Sequence, residues 1–368
     1  MQILIVEPFF GGSHKKWAEE FQKFSKHNVQ ILSLPGRHWK WRMFGGAVEL
    51  SEQFLNSDIK PDLLIASDML DLSTFISLSR KKLSKTSISI YFHENQITYP
   101  WSPDDKDLSL NRNNQYGFIN YTSALTADSV FYNSNYHLTS FTNALEPFLR
   151  QFPDHKSLEN IPKIIKKSNV LYLGMDLNKF EEFYIQSTHN QIVILWNHRW
   201  EYDKNPDLFF KTLLRLKDEN ILFKLIILGQ SYAKVPSVFN EAKELFADEI
   251  IHFGYANTFR EYAELLWQSD ILPVTSNQDF FGGSVVEAIY CNCFPILPNR
   301  LAYPEHISKN EHHNHFYETE DELYEKLKHS ILITKKNQNF ETLKSFVSRY
   351  DWSILAPFYD STFEKLIS

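Results

Sequence analysis

Arg199 and Lys204 stand five positions apart in the run Asn197-His198-Arg199-Trp200-Glu201-Tyr202-Asp203-Lys204, and Asp279 and Glu287 stand eight apart around Gly282-Gly283-Ser284. A planar guanidinium and a compact ammonium at the end of one strand can hold a diphosphate without a metal. Gly282, Gly283 and Ser284 can open a helix whose N–H groups face an anion. Glu287, more than a turn further on, can accept hydrogen bonds from a ribose diol. Together these residues could frame a sugar nucleotide.

The first half carries a second group. Pro8-Phe9-Phe10-Gly11-Gly12-Ser13-His14 follows an apolar run, and its adjacent glycines either bring backbone N–H groups to an anion such as a diphosphate or make a tight strand-to-helix turn. His93 and Glu94 end another apolar run; they are either sugar-contacting groups or a packed histidine beside a paired acid. Arg37, Lys40 and Arg42 interleave with His38, Trp39 and Trp41. That pattern suits phosphate contact with base stacking on single-stranded RNA, or else a packed Trp pair beside solvated charges.

Several chemistries fall away. The dinucleotide fingerprint GxGxxG is absent after the first strand, and GxxxxGK[ST] is absent throughout. Glu311, His312, His313 and His315 lack the helical spacing of zinc motifs and read as a solvated loop. Asp105-Lys106-Asp107 likewise reads as solvated, so no metal and no cofactor is expected. Cys291 and Cys293 read as small buried hydrophobes.

The elements that must position these residues alternate. Strands are predicted at Gln2–Val6, Val29–Leu34, Asp62–Ala66, Ser87–Phe92, Ser129–Tyr132 and Asn169–Leu173, with helix-patterned segments between most of them. The pattern restarts at Ile192–Trp196 after the polar stretch Lys179–Gln191 and continues with strands at Phe223–Leu228, Ile250–Phe253, Ile271–Val274 and Phe294–Leu297. Such alternation predicts an α/β protein of two doubly wound, Rossmann-like domains, 1–185 and 186–350, facing one another across a cleft. From Thr319 the pattern is helical, broken near Asp351–Pro357, and residues 351–368 are expected to pack back on the first domain.

Size and charge agree. With 368 residues the chain exceeds the usual reach of one core, and 43% hydrophobic content rules out disorder as the dominant state. Residues 1–185 hold 20 Lys+Arg against 20 Asp+Glu, and the remainder holds 18 against 25, so the acidic excess lies in the second half. Broad polyanion binding by that half is disfavoured, while a locally basic site in the first stays open. No signal peptide or membrane span is read, and two cysteines in so long a chain suit a reducing cytoplasm.

The pair Arg199…Lys204 followed by Asp279…Glu287 resembles the phosphate pair and E-x7-E motif of family-4 retaining glycosyltransferases of the GT-B fold, with Asp279 where Glu is usual. Ile5–Lys15, Leu34–Arg42, Tyr91–Pro100 and Ala288–Pro295 look like the tRNA-queuosine mannosyltransferase family, although Asn292 replaces its usual Gly. The resemblance implies transfer of mannose, with retention, from GDP-mannose to the cyclopentene diol of queuosine in a tRNA anticodon loop. It places Arg199 and Lys204 on the donor diphosphate, Asp279, Gly282 and Gly283 on the sugar, and Glu287 on the ribose. Taken with the residue readings above, Gly11, Gly12, Ser13 and Ser284 are expected in the donor site, and His14, Arg37, Trp39, Lys40, Trp41, Arg42 and Asn95 on the acceptor. His93 and Glu94 fall at the reacting centre. A family-4 transferase with another donor or a small or lipid acceptor, and an inactive RNA-binding relative, are the alternatives.

Overall fold

A computed structural model describes residues 1–102, 105–110, 112–230, 235–332 and 340–367. The chain divides into two compact units. Unit 1 comprises Met1–Asp176 with Trp352–Ser368, and unit 2 comprises Leu177–Asp351.

Unit 1 is built on strands β1 (Gln2–Phe10), β2 (Asn28–Pro35), β3 (Leu63–Ser67), β4 (Ser87–Phe92), β5 (Ser129–Tyr132) and β6 (Ser168–Val170). They form one parallel sheet in the order β2-β1-β3-β4-β5-β6. β3 is buried along its whole length and β4 along nearly all of it, as apolar strands covered on both faces must be. The order reverses between β1 and β3. Their carboxyl ends therefore diverge into the crevice where ligands of doubly wound sheets bind.

Unit 2 repeats the plan. Strands β7 (Val193–Asn197), β8 (Lys224–Leu228), β9 (Ile250–Gly254), β10 (Ile271–Pro273), β11 (Phe294–Pro298) and β12 (Phe316–Tyr317) lie in the order β12-β11-β10-β7-β8-β9, all parallel. Its switch falls between β7 and β10. The segments after those strands carry Arg199, Lys204 and Asp279.

Four expectations are corrected. The boundary falls at 176/177, not near 185, because Asn178–Phe183 is a 3-10 turn of unit 2. There Phe180 is buried against Phe259, Tyr262 and Tyr290, and Asp351 accepts from the N–H groups of Leu177 and Asn178 at 2.8 and 2.9 Å. β1 continues past Val6 to Phe10, which puts Glu7 inside a strand. Trp39–Leu55 is a 17-residue helix absent from the sequence reading. Gly45 and Gly46 are poor helix formers, and burial of Met43, Ala47, Leu50 and Phe54 overrides them. Gly46 is required there, since a Cβ would lie 2.8 Å from Pro8. Finally, His315 is buried with Nδ1 2.8 Å from the Pro295 carbonyl, so the histidine run is not simply a solvated loop.

The last helix, Trp352–Ile367, lies in unit 1 and contains Pro357 without a break. The interruption comes earlier, at the turn Ser348–Tyr350. Trp352, Tyr359 and Phe363 are fully buried around Phe21, and burial of each such ring stabilises by roughly 1.5–3 kcal/mol. The helical expectation across 333–339 lies outside the described residues. Among the described residues no helix is long and apolar enough to cross a membrane.

Candidate active site

Unit 2 presents a buried charge cluster at its switch point. Lys204 is 5% exposed; its Nζ donates to the Gln278 carbonyl at 2.6 Å and lies 3.1 Å from Asp279 Oδ1 and 3.3 Å from Asp203 Oδ2. Asp279 Oδ2 accepts from the Tyr303 hydroxyl at 2.5 Å. Burial pushes the Asp279 carboxyl up, but Lys204, His198 and the Tyr303 hydrogen bond outweigh it and hold the group below the usual carboxylate range. Lys204 thus donates to the Gln278 carbonyl and is flanked by the carboxylates of Asp203 and Asp279. Arg199 lies on the exposed side, with its guanidinium 3.4 Å from Glu201.

The helix Gly283–Tyr290 starts beside this cluster. Gly282 precedes it at φ 85, a left-handed conformation that glycine adopts without strain, and no side chain caps the helix. The first N–H groups of a helix have no intrahelical partner, so those of Gly283 and Ser284 are presented to a ligand. Inside the helix, Glu287 is buried and accepts from the Tyr262 hydroxyl at 2.7 Å. Asn197 donates to the Ser284 carbonyl at 2.7 Å, and His198 Nδ1 lies 3.2 Å from Ser284 Oγ. Burial lowers the His198 pKa to about 4, so the ring is neutral at pH 7.

Unit 1 gathers a second cluster at its own switch. Glu7 Oε1 accepts from the Phe9 N–H at 2.8 Å and Oε2 lies 2.9 Å from His14 Nδ1. His14 stacks on His93, centroids 4.2 Å apart and planes 28° from parallel. Asp68, just after β3, accepts from the His93 N–H at 2.8 Å, and Asn133, just after β5, donates to the His93 carbonyl at 2.9 Å. Glu94 is partly exposed and accepts from Gln96 at 2.9 Å. Gly11 and Gly36 let the loops after β1 and β2 touch, since a Cβ on Gly36 would sit 2.8 Å from Gly11. The space beside Gly12 is open.

Ligand atoms of Glu7, His14 and His93 lie within 4.8 Å of one another, a spacing that suggests a metal. The two imidazoles are stacked, however, so their in-plane lone pairs do not converge on one ion, and Glu7 is engaged with His14.

Not every residue predicted on the acceptor side is available to it. Asn95 is fully buried; its carbonyl oxygen accepts from Ile97 and Thr98 N–H, and its amide donates to Thr98 Oγ1, so it builds a turn. Lys40 is clamped by Asp105 at 2.6 Å and Asp107 at 2.5 Å, beneath the rings of Trp39, Trp101 and Tyr116. The Asp105-Lys106-Asp107 run is therefore an anchor, not a solvated loop. Trp39 packs on Trp101 and Tyr116 in a small core. His14 is buried behind Glu7. Arg37, Trp41 and Arg42 reach the surface, and Trp41 is 64% exposed.

Comparison with known proteins follows this division. Residues 2–175 match the family model "tRNA-queuosine alpha-mannosyltransferase N-terminal", and residues 178–342 match "Glycosyl transferases group 1". A tRNA-queuosine alpha-mannosyltransferase of Drosophila melanogaster is 34% identical over 375 residues, covering 100% of this chain and 97% of the relative. The chain belongs to the tRNA-queuosine alpha-mannosyltransferase family.

Like other members of the tRNA-queuosine alpha-mannosyltransferase family it is a glycosyltransferase, of the GT-B fold. Solved structures share that fold at low identity. A Rickettsia africae glycosyltransferase matches at 17% identity and TM-score 0.69, covering 100% of this chain and 98% of that one. A trehalose-6-phosphate structure from E. coli, bound with UDP-2-fluoro glucose, matches at 11% and 0.72, covering 100% and 99%.

Within this tRNA-queuosine alpha-mannosyltransferase family fold, sequence reasoning missed six residues that touch the predicted sites. Glu7 and Asp68 had a signal, being acids inside or just after fully apolar strands, where an unpaired charge is costly. Asn197 and His198 adjoin Arg199 in the same motif. Tyr262 and Tyr303 had none: each lies more than twenty positions from the carboxylate it bonds, and only the fold joins them.

Proposed function

We propose that this protein transfers mannose, with retention, from GDP-mannose to the cyclopentene diol of queuosine in the anticodon loop of a tRNA, acting in the cytoplasm. The observation that carries this reading is the full-length relative named for that activity, at 34% identity. Unit 2 takes the donor: Arg199 and Lys204 oppose the diphosphate, the Gly283 and Ser284 amides with Gly282 receive the phosphate and sugar, Asp279 meets the sugar and Glu287 the ribose. On unit 1 the open Gly11-Gly12-Ser13 turn offers N–H groups suited to an anion.

Unit 1 takes the acceptor, with Arg37, Trp41 and Arg42 on the loop and His93 and Glu94 near the diol. In a front-face transfer the acceptor O–H bond breaks as the new C–O bond forms, and a leaving diphosphate oxygen receives the proton. Cations and amides aimed at that oxygen stabilise the charge growing on it, often the largest single catalytic effect. The test is mass analysis of tRNA nucleosides after incubation with a panel of sugar nucleotides. Mannosylated queuosine from GDP-mannose is expected; sugar transfer from a different nucleotide, or to no tRNA nucleoside, would overturn the assignment.

A further inference from the structure

Glu7 is 1% exposed, in the middle of a strand, beside the stacked rings of His14 and His93. One of its oxygens accepts from Phe9 N–H and the other meets His14 Nδ1, so it is not placed to touch a substrate. His93 is the converse case. It is 7% exposed, its backbone is tied to Asp68 and Asn133, and both ring nitrogens lack a hydrogen-bond partner among the described residues. Buried polar atoms are rarely left so; Asp68 stands nearest to Nδ1, and the unmatched Nε2 points to a group that arrives with the substrate.

We propose that Glu7 is a positioning residue for the transfer: its carboxylate fixes the His14 ring and, through the His14–His93 stack, holds His93 as a neutral hydrogen-bond acceptor for a substrate hydroxyl, not as the base that removes its proton. The identity of that hydroxyl rests on the transferase reading above. Trp17 and Tyr91 meet the His93 ring edge-on at 4.9 and 4.8 Å, so the ring has one orientation. Asp68 Oδ1 lies 3.5 Å from Nδ1. That carboxylate favours the hydrogen on Nδ1 and leaves the Nε2 lone pair for the ligand.

The charges agree with this arrangement. The groups facing His14 are Glu7 from β1, Asp68 after β3, and His93 and Glu94 after β4; those facing His93 are His14, Glu7 and Asp68, with His137 beyond. Burial works against a charged His14, but Glu7, assisted by Asp68 and Glu94, raises its pKa to about 9. Burial and the neighbouring His14 charge push His93 well below its ordinary value. Two stacked imidazolium rings in a buried site would repel strongly, so His93 does not take a proton while His14 holds one.

Imidazole NMR titrations of the intact wild type and of Glu7→Gln, without substrate, test this together with the pH profile of transfer. The expected wild-type result is His14 protonated to about pH 9 and His93 neutral throughout the ordinary histidine range of about pH 5–8. In Glu7→Gln, His14 should lose its proton at lower pH, and transfer should fall roughly tenfold to a hundredfold. Transfer should also gain a pH dependence in that range which the wild type lacks. A wild-type His93 protonated at pH 7, or a folded Glu7→Gln with unchanged rate and profile, would overturn the proposal. Should Glu7→Gln not fold, the wild-type titration decides: His14 titrating near its ordinary value of about 6.5 refutes it. Absence of transfer by the wild type would count against the proposed function alone, since the titrations are read on the free protein.

Discussion

Lys204 and Asp279 form a buried ion pair, Nζ to Oδ1 3.1 Å, within a network closed by Asp203, Tyr303 and the Gln278 carbonyl. The two cations proposed for the donor diphosphate are therefore not equivalent. Lys204→Ala leaves Asp203 and Asp279 in a buried site without their counter-charge, and breaking such a pair typically costs about 3–5 kcal/mol. The Arg199 side chain is 45% exposed, so Arg199→Ala should leave stability within about 0.5 kcal/mol. It should weaken donor binding through the lost charge-assisted contacts, worth roughly 1.5–3 kcal/mol. Chemical denaturation and GDP-mannose titration on both variants check this; equal unfolding midpoints for Arg199→Ala and Lys204→Ala would refute the asymmetry.

The Arg37–Arg42 segment divides in the same way. Trp41 is the exposed ring, and its indole lies over Gly45, where an added Cβ would come within 2.6 Å. One face is backed by the helix and the other is open for stacking. Trp41→Ala should cost roughly 1–3 kcal/mol in tRNA affinity without loss of stability, and Arg37→Ala or Arg42→Ala should each lower the salt slope of binding by about one. Lys40→Ala and Trp39→Ala should instead destabilise unit 1, because they dismantle the Asp105–Lys40–Asp107 clamp and its aromatic lid. The measurements are tRNA titrations across a salt series beside thermal melts. Normal tRNA binding by Trp41→Ala would remove it from the acceptor surface.

These two cases show what could be read from the chain alone. Strand positions and the parallel α/β class follow from periodicity: apolar runs such as those at Leu63–Ser67 and Val193–Asn197 are best covered on both faces in the middle of a parallel sheet, and the charged motifs follow their carboxyl ends. Burial at the site did not follow. Nothing in the spacing of Lys40 indicates that Asp105 and Asp107, more than sixty positions on, neutralise it. The helix Trp39–Leu55 was equally hidden, since its Gly45-Gly46 pair argues locally for a loop and only packing against β1 reverses the preference. Residue type identified the charged groups; tertiary partners decided which of them are available to a substrate.

The donor site as proposed needs no divalent ion, because Arg199, Lys204 and the helix amides meet the diphosphate. The Asp105 and Asp107 carboxylates of the Asp-Lys-Asp run are occupied by Lys40. Transfer should persist in EDTA at a rate within about twofold of the untreated enzyme, well below the several kcal/mol a catalytic metal contributes. Complete loss, restored by Mg²⁺ or Mn²⁺, would reject a metal-free donor site.

The Glu7–His14 pair also sets how stability depends on pH. His14 has its folded pKa raised to about 9 from 6.5, despite burial, by the adjacent carboxylate. A group whose folded pKa is raised contributes stability that is fully present below the unfolded value and lost as pH rises through the folded one. Stabilisation on the order of 3 kcal/mol should therefore be complete below about pH 6.5 and disappear by about pH 9 to 10. Asp279 works in the opposite sense, its lowered pKa giving stability above the ordinary carboxyl range that fades as pH falls below it. Burial holds the Cys291 and Cys293 thiols well above their ordinary range and adds its own loss above about pH 9, so the His14 part of an alkaline decline is the difference between the wild type and Glu7→Gln. Unfolding followed from pH 6 to 10 should show that decline in the wild type and much less of it in Glu7→Gln; an identical alkaline slope in both proteins would place the loss elsewhere.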